Sequence, residues 1–197
     1  MKQMKHNRAI ILAAGASRRM KTQKLLLPYH GSTIIETAIS NILQSKVSST
    51  MVVLGASRHE ILEVIDGLPV DHCYNAQHAQ GMLSSVICGL RAMPANTDAA
   101  LVFPGDQPDI PAQVIDQLID AFHGSPRGIV IPRYQNRRGH PLMVDMKYRE
   151  AIEKLDPEKG LRALMDLFSS DVLEVAVEDN GILMDIDTRE DYINATK

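Results

Sequence analysis

The sequence predicts an α/β protein, a three-layer Rossmann-like α/β/α arrangement in which a mostly parallel sheet carries helices on both faces. Two observations predict it. Continuous apolar runs at Arg8 to Ala14, Thr50 to Leu54 and Ala99 to Phe103 are too uniformly hydrophobic for strands with one wet face. Between them lie segments whose apolar residues recur at helical spacing, and strands that alternate with helices form parallel sheets. In such sheets ligands bind at the carboxyl edge of the strands.

Arg8 to Ala14 is the first strand and ends in Ala14-Gly15-Ala16. Thr33 to Gln44 places Ile34, Ile35, Ala38, Ile39, Ile42 and Leu43 on one helical face, with Ser32 as the expected N-cap. Thr50 to Leu54 is the second strand and Arg58 to Ile65 its helix. Val70 to Tyr74 reads as a third strand, Met82 to Met93 as a helix, and Ala99 to Phe103 as a buried strand leading into Pro104-Gly105-Asp106-Gln107-Pro108. The later pattern is less regular. It predicts a helix over Pro111 to Phe122, a strand over Gly128 to Arg133, a polar loop at Tyr134 to Arg138 and a further segment over Gly139 to Val144, with hairpin-like pieces expected in this irregular region. A helix around Leu161 to Phe168 and strands near Val172 to Val177 and Ile182 to Ile186 complete the chain.

A chain of 197 residues with 45% hydrophobic content can bury one substantial core, and a single domain over residues 1–197 is expected. The net charge of −3 argues against nucleic acid as a partner, because such binding relies on a broad basic surface. Cys73 and Cys88 lack the spacing of a metal cluster, which fits a reduced, cytoplasmic protein. The basic residues before Ala9 and the apolar run after them imitate a secretory signal, but a buried first strand explains the same residues. No segment approaches the roughly 20 apolar residues of a membrane span.

The stretch Arg8 to Lys24 carries the chemistry. A buried strand delivers a small-residue turn, then Ser17, Arg18, Arg19, Lys21 and Lys24, side chains suited to phosphate. It nearly spells a P-loop, but Met20 stands where that loop needs glycine to curl around phosphates. The ATPase reading fails there. Arg18 and Lys21 read as a solvated basic face.

LAAGASRRM followed by Lys24 resembles the LAAGxSxRM…K signature of nucleotidyltransferases with the fold of molybdenum-cofactor cytidylyl- and guanylyltransferases. The resemblance continues at Asn75, at Gly81-Met82 with Ser84-Ser85, at Gly105-Asp106-Gln107-Pro108, at Arg138-Gly139-His140-Pro141 and at Asp185-Ile186-Asp187-Thr188. Lys21 departs from it, since relatives usually carry glycine after the methionine. Nucleotidyl transfer must neutralise charge on the α-phosphate and on the departing pyrophosphate, and the resemblance implies how. Leu12, Ala13, Ala14 and Gly15 bring backbone close to the nucleotide, Arg19 grips the β and γ phosphates, and Lys24 takes the α-phosphate. Asn75, Ser84 and Ser85 bond to base or ribose, or the serines are simple helix caps.

Asp106, just past a buried strand, is placed to hold Mg2+, and the resemblance assigns Asp187 to the second metal-holding position; an N-cap role for the following helix is the alternative. Asp109 reads as a helix cap or a solvent-facing residue, and Asp185 as structural. Relatives that use GTP commonly carry LAGG, so Ala14 implies CTP. Arg138, Gly139 and His140 are expected at the acceptor. A phosphate monoester there has a second pKa near ~6 and needs no base, so His140 reads as a binding residue. The implied reaction is Mg-dependent transfer of CMP from CTP to the terminal phosphate of molybdopterin. The same half-site would serve another phosphorylated acceptor, such as an isoprenoid precursor or a sugar phosphate. A reading from another class is a non-catalytic carrier that hands molybdenum cofactor to a molybdoenzyme of the xanthine dehydrogenase type.

Overall fold

The computed structural model describes residues 6–17, 19, 20 and 22–197. The strands are β1 (Asn7–Ala13), β2 (Pro28–Tyr29), β3 (Ser32–Thr33), β4 (Ser49–Leu54), β5 (Asp71–Tyr74), β6 (Ala99–Pro104), β7 (Ile129–Tyr134), β8 (Arg137–Arg138), β9 (Leu142–Asp145) and β10 (Val172–Ala176). The helices are α1 (Ile34–Leu43), α2 (Arg58–Ile65), α3 (Met82–Ala92), α4 (Ala112–Gly124), α5 (Arg149–Ile152), α6 (Leu161–Leu167) and α7 (Arg189–Ala195). The main sheet has eight strands in the order β10-β7-β9-β6-β1-β4-β5, with β8 paired to β7. Pairing is parallel except around β9, which runs antiparallel to both β6 and β7, and in the β7–β8 hairpin.

Alternation along each strand divides the core between two faces. Ala9, Ile11, Ala13, Val52, Leu54, Leu101 and Phe103 pack with α1, α2 and α4 on one side. Ile10, Val53, Ala100, Val102, Leu142 and Val144 meet α3, α5 and α6 on the other. The chain winds outward from β1 through β4 to β5, then returns to place β6 on the opposite side of β1. This reversal opens a crevice at the carboxyl ends of β1 and β6, where an open α/β sheet binds its ligands.

Four local expectations are corrected. Thr33, not Ser32, caps α1: it forms a reciprocal capping box with Glu36, while Ser32 donates its hydroxyl to the same carboxylate at 2.8 Å. Tyr134 to Arg138 is the tip of the β7–β8 hairpin, with Gln135 and Asn136 both at positive φ, as a tight hairpin turn requires. Ile182 to Ile186 forms no strand. Asn180–Leu183 is a 3-10 turn, and the Ile182 carbonyl accepts from the His140 amide at 3.0 Å, outside any strand ladder. Asp109 is neither a cap nor free in solvent: Pro111 holds the cap position of α4, and the buried Tyr29 hydroxyl donates to Asp109 at 2.7 Å. Cys73 and Cys88 are free thiols with sulfurs 3.7 Å apart, and burial, then the neighbouring Cys88, pushes the Cys73 thiol up to about 12. Among the described residues, no helix is long and apolar enough to cross a membrane.

Candidate active site

The crevice is framed by backbone. The Gly105 amide donates to the Leu12 carbonyl at 3.1 Å, binding the end of β6 to the end of β1. A side chain at Gly105 would put its Cβ 2.7 Å from that carbonyl, so only glycine permits the approach. The Ile186 amide donates to the Asp106 carbonyl at 3.0 Å and docks the 184–188 segment beside the same edge. Together these segments enclose a cavity of about 660 Å3, within the range of small-molecule sites.

The loop after β1 is tied by its own side chains. Ser17, at positive φ, donates its hydroxyl to Gln23 at 2.7 Å and accepts from the Lys24 amide at 3.1 Å. Gln23 donates to the Gly15 carbonyl at 3.2 Å and accepts from the Leu25 amide at 3.3 Å. These bonds give the loop a fixed path to Lys24. Arg18 and Lys21 lie outside the described residues.

Lys24 is the electrostatic centre. Its Nζ donates to Asp106 Oδ2 at 2.5 Å and to Asp187 Oδ1 at 2.7 Å, with the lysine side chain only 14% exposed. Burial alone would lower its pKa, but Asp106 and Asp187 outweigh burial and hold it above the usual lysine range. The hydrogen bond from Lys24, opposed by burial and helped by Arg19, holds the Asp187 carboxyl below the usual range. Arg19 reaches Asp187 Oδ2 at 2.9 Å from a side chain that is 71% exposed, so its guanidinium is readily released. Asp185 is a third carboxylate on the cavity wall, bonded by Gln107 Nε2 at 2.6 Å; burial, then the negative charge of Asp106, raises its pKa.

Asp187 does not cap the following helix. Thr188 does, in a capping box with Asp191, which leaves the Asp187 carboxylate turned to Lys24 and Arg19. Asp106 and Asp187 therefore share one cation, and hard carboxylate oxygens of this kind suit Mg2+, which commonly takes one or two carboxylates together with substrate phosphates.

Leu12, Ala14, Gly15, Arg19, Lys24, Ser85, Asp106, His140 and Asp187 all line the cavity. Ala13 is buried in the core beneath it. Asn75 and Ser84 stand behind the wall, joined to each other at 2.9 Å. Gly139 supports the site from below, since a Cβ there would run into the Ile182 carbonyl. Arg138 is not brought to the cavity: its guanidinium pairs with Glu174 on β10 at 2.7 Å. The His140 imidazole faces the cavity with Nδ1 buried and unpartnered among the described residues; burial, partly offset by Asp106, lowers its pKa and keeps it neutral at pH 7. Sequence reasoning missed the roles of Gln23 and Gln107, and it placed Asp185 outside the site. The only signal for Gln107 was its place beside Asp106 in the motif.

A family model described as a MobA-like NTP transferase domain matches residues 9–174. The chain is 30% identical over 189 residues to the molybdenum cofactor cytidylyltransferase of Escherichia coli K12, covering 94% of this chain and 93% of that protein. It is 28% identical to the nicotine blue oxidoreductase of Paenarthrobacter nicotinovorans, covering 92% of each chain. The crystal structure of Rv0371c from Mycobacterium tuberculosis H37Rv shares the fold, with a TM-score of 0.85 at 24% identity over 98% of this chain and 97% of that one. The chain belongs to the MobA-like NTP transferase family and is a nucleotidyltransferase.

Proposed function

We propose that this member of the family is a magnesium-dependent cytidylyltransferase that moves CMP from CTP to the terminal phosphate of a molybdopterin-type cofactor. The observation that carries the reading is the Lys24 ammonium shared between Asp106 and Asp187 on the wall of the cavity. Such a cation has two alternative partners: the carboxylates before substrate enters, and a phosphate afterwards. Further support comes from Ala14 on the cavity wall and from the name of the relative in Escherichia coli.

In the reaction, an oxygen of the acceptor phosphate forms a bond to the α-phosphorus while the bond from that phosphorus to the α,β-bridging oxygen breaks, and pyrophosphate departs with the electron pair. Lys24 moves from its carboxylates to the α-phosphate and stabilises the charge that builds there. Arg19, exposed and held only by Asp187, turns to the β and γ phosphates. Neutral His140 positions the acceptor with its ring nitrogens and need take no proton, since a phosphate monoester with a second pKa of ~6 is already largely dianionic at pH 7. Asp106 and Asp187 would hold the magnesium, which when bound supplies further neutralisation of phosphate charge. The dinucleotide product would pass to a molybdoenzyme, of which the xanthine dehydrogenase type is one candidate.

The test is to incubate the purified protein with Mg2+, a molybdopterin acceptor and CTP, GTP or ATP in turn, and to measure pyrophosphate. Release with CTP that is abolished by a chelator is expected. Equal release with GTP would overturn the base assignment, and no release with any nucleotide would overturn the reaction.

A further inference from the structure

Cys73 on β5 and Cys88 on α3 are the two cysteines of the chain, and the transfer reaction uses neither. Their sulfurs are 3.7 Å apart, brought together from positions fifteen residues apart. Both side chains are half-buried, so neither is sealed from a small oxidant. Hydrogen bonds order the pair. The Tyr74 carbonyl, which can only accept, lies 3.6 Å from Cys88 Sγ and takes its proton, which leaves the Cys88 sulfur to receive the proton of Cys73. Burial, then Cys88, keeps the Cys73 thiol protonated, so Cys88 is the sulfur that reacts first. The segment between the thiols forms one wall of the site: His78, Ala79, Gly81, Met82 and Ser85 all line the cavity. Ser85 stands one helical turn from Cys88, and Asn75, two residues beyond Cys73, donates across to Ser84 and Ser85 at 2.9 and 3.0 Å.

We infer that Cys73 and Cys88 are a site of reversible oxidation, whose disulfide closes a loop around this wall and weakens nucleotide binding. The effect on the nucleotide rests on the proposed function; formation of the bond does not. The oxidant is a hydroperoxide. The Cys88 sulfur attacks one peroxide oxygen, the O–O bond breaks, and with hydrogen peroxide the other oxygen leaves as water, giving a sulfenic acid. The Cys73 sulfur then attacks the Cys88 sulfur, the S–O bond breaks, and the thiol proton of Cys73 leaves with that hydroxide as a second water. The two thiols lose two electrons and the peroxide gains them, and a dithiol returns both thiols by two exchange steps. A disulfide holds its sulfurs at about 2.05 Å, so roughly 1.6 Å of the present separation must close. Moving α3 onto the sheet cannot supply it. Gly89, next to Cys88, already lies so near the sheet that a Cβ there would stand 2.8 Å from Ile10 and 3.0 Å from Val53. β5, at the edge of the sheet against β4, is the element that yields, and it carries Tyr74 and Asn75 with it. The Asn75 bonds to α3 are already at ordinary length and cannot shorten to follow, so the wall rearranges.

The test treats the full-length protein with hydrogen peroxide, removes the excess, and compares it with protein kept in dithiothreitol. Free thiols are titrated in both, and CTP is titrated into both in Mg2+ by calorimetry. The two thiols are expected to disappear together with no dimer on a non-reducing gel, and dithiothreitol to restore them. The oxidised form is expected to bind CTP about tenfold more weakly, the difference that loss of one hydrogen bond makes, and to recover on reduction. Cys73→Ser and Cys88→Ser, which cannot form the bond, should keep the affinity of the reduced protein after the same treatment, either one serving if the other does not fold. Thiols that survive the peroxide, or that dithiothreitol does not restore, overturn the inference. So does a disulfide form that binds CTP as tightly as the reduced form, or tighter. Equal weakening in the serine variants places the effect on oxidation elsewhere and overturns it as well. Reduced protein that binds no CTP overturns the proposed function instead, and the thiol titration still decides whether the bond forms, which separates the two failures.

Discussion

Replacing Lys24 with alanine separates catalysis from folding. The ammonium is held by two charge-assisted bonds, at 2.5 and 2.7 Å, and its stem is mostly buried. Bonds to charged groups contribute about 1.5–3 kcal/mol when well shielded. Here the shielding is partial, because the Asp187 side chain is 35% exposed and both carboxylates border the cavity, where water can replace the lysine. The expected cost to stability is therefore about 1–2 kcal/mol, a modest shift in a urea titration. Turnover should suffer far more. A donor aimed at charge that develops in the transition state is worth about 100- to 1000-fold in kcat, or roughly 3–4 kcal/mol. The assay is pyrophosphate release in the presence of Mg2+ with saturating nucleotide, beside urea denaturation of the same preparation. A rate within about threefold of wild type would refute the role assigned to Lys24. So would a loss of activity that simply follows the unfolded fraction.

Tyr29→Phe should cost about 1–2 kcal/mol in urea denaturation, since it leaves Asp109 without the buried hydroxyl that donates to it at 2.7 Å; an unchanged midpoint would show that the bond adds nothing net. Gly139→Ala should cost about 2–3 kcal/mol, because its Cβ would meet the Ile182 carbonyl and push the segment leading to Asp185 and Asp187 away from its support. Unperturbed stability in that variant would mean that the segment yields freely. The His140 imidazole is held below its ordinary pKa of about 6.5, mainly by burial, so the unfolded chain takes up a proton that the folded chain resists. Its contribution to stability is thus complete above pH 6.5 and lost as pH falls below that value. Unfolding free energies measured from pH 7 down to 5 should fall, and His140→Asn should remove part of the slope; identical slopes would contradict the assignment.

The fold was legible wherever burial on both faces left a continuous apolar run: β1, β4 and β6 lie within a residue or so of where the sequence places them. The sequence misled where hydrophobicity served a different purpose. Ile182 and Ile186 are fully buried like strand residues, yet they anchor an irregular segment under the crevice, with backbone groups bonded to His140 and Asp106. Burial alone does not distinguish the two, because periodicity reports which side chains are inside and not what the backbone pairs with. The charged core of the site was legible because motifs mark Lys24, Asp106 and Asp187, and Asp106 also follows the end of a buried strand. Arg138 was not, because Glu174, thirty-six positions away, captures its guanidinium, and no local pattern announces such a partner.

The Lys24 site separates a fixed frame from a mobile charge. Asp106 follows a strand whose end is bonded to β1, and Asp187 follows Ile186, whose amide bonds to the carbonyl of Asp106 itself. The two carboxylates are thus tied to each other through backbone, independent of what lies between them. The Lys24 backbone is tied at both ends, its amide donating to the Ser17 hydroxyl and its carbonyl accepting from the Leu27 amide, while its Nζ ends a chain of rotatable bonds. When a triphosphate enters, the group that must change partners is the one that can do so without moving the sheet. The cost of reorganisation then falls on one side chain, while the backbone bond between the Ile186 amide and the Asp106 carbonyl holds the spacing of the two carboxylates.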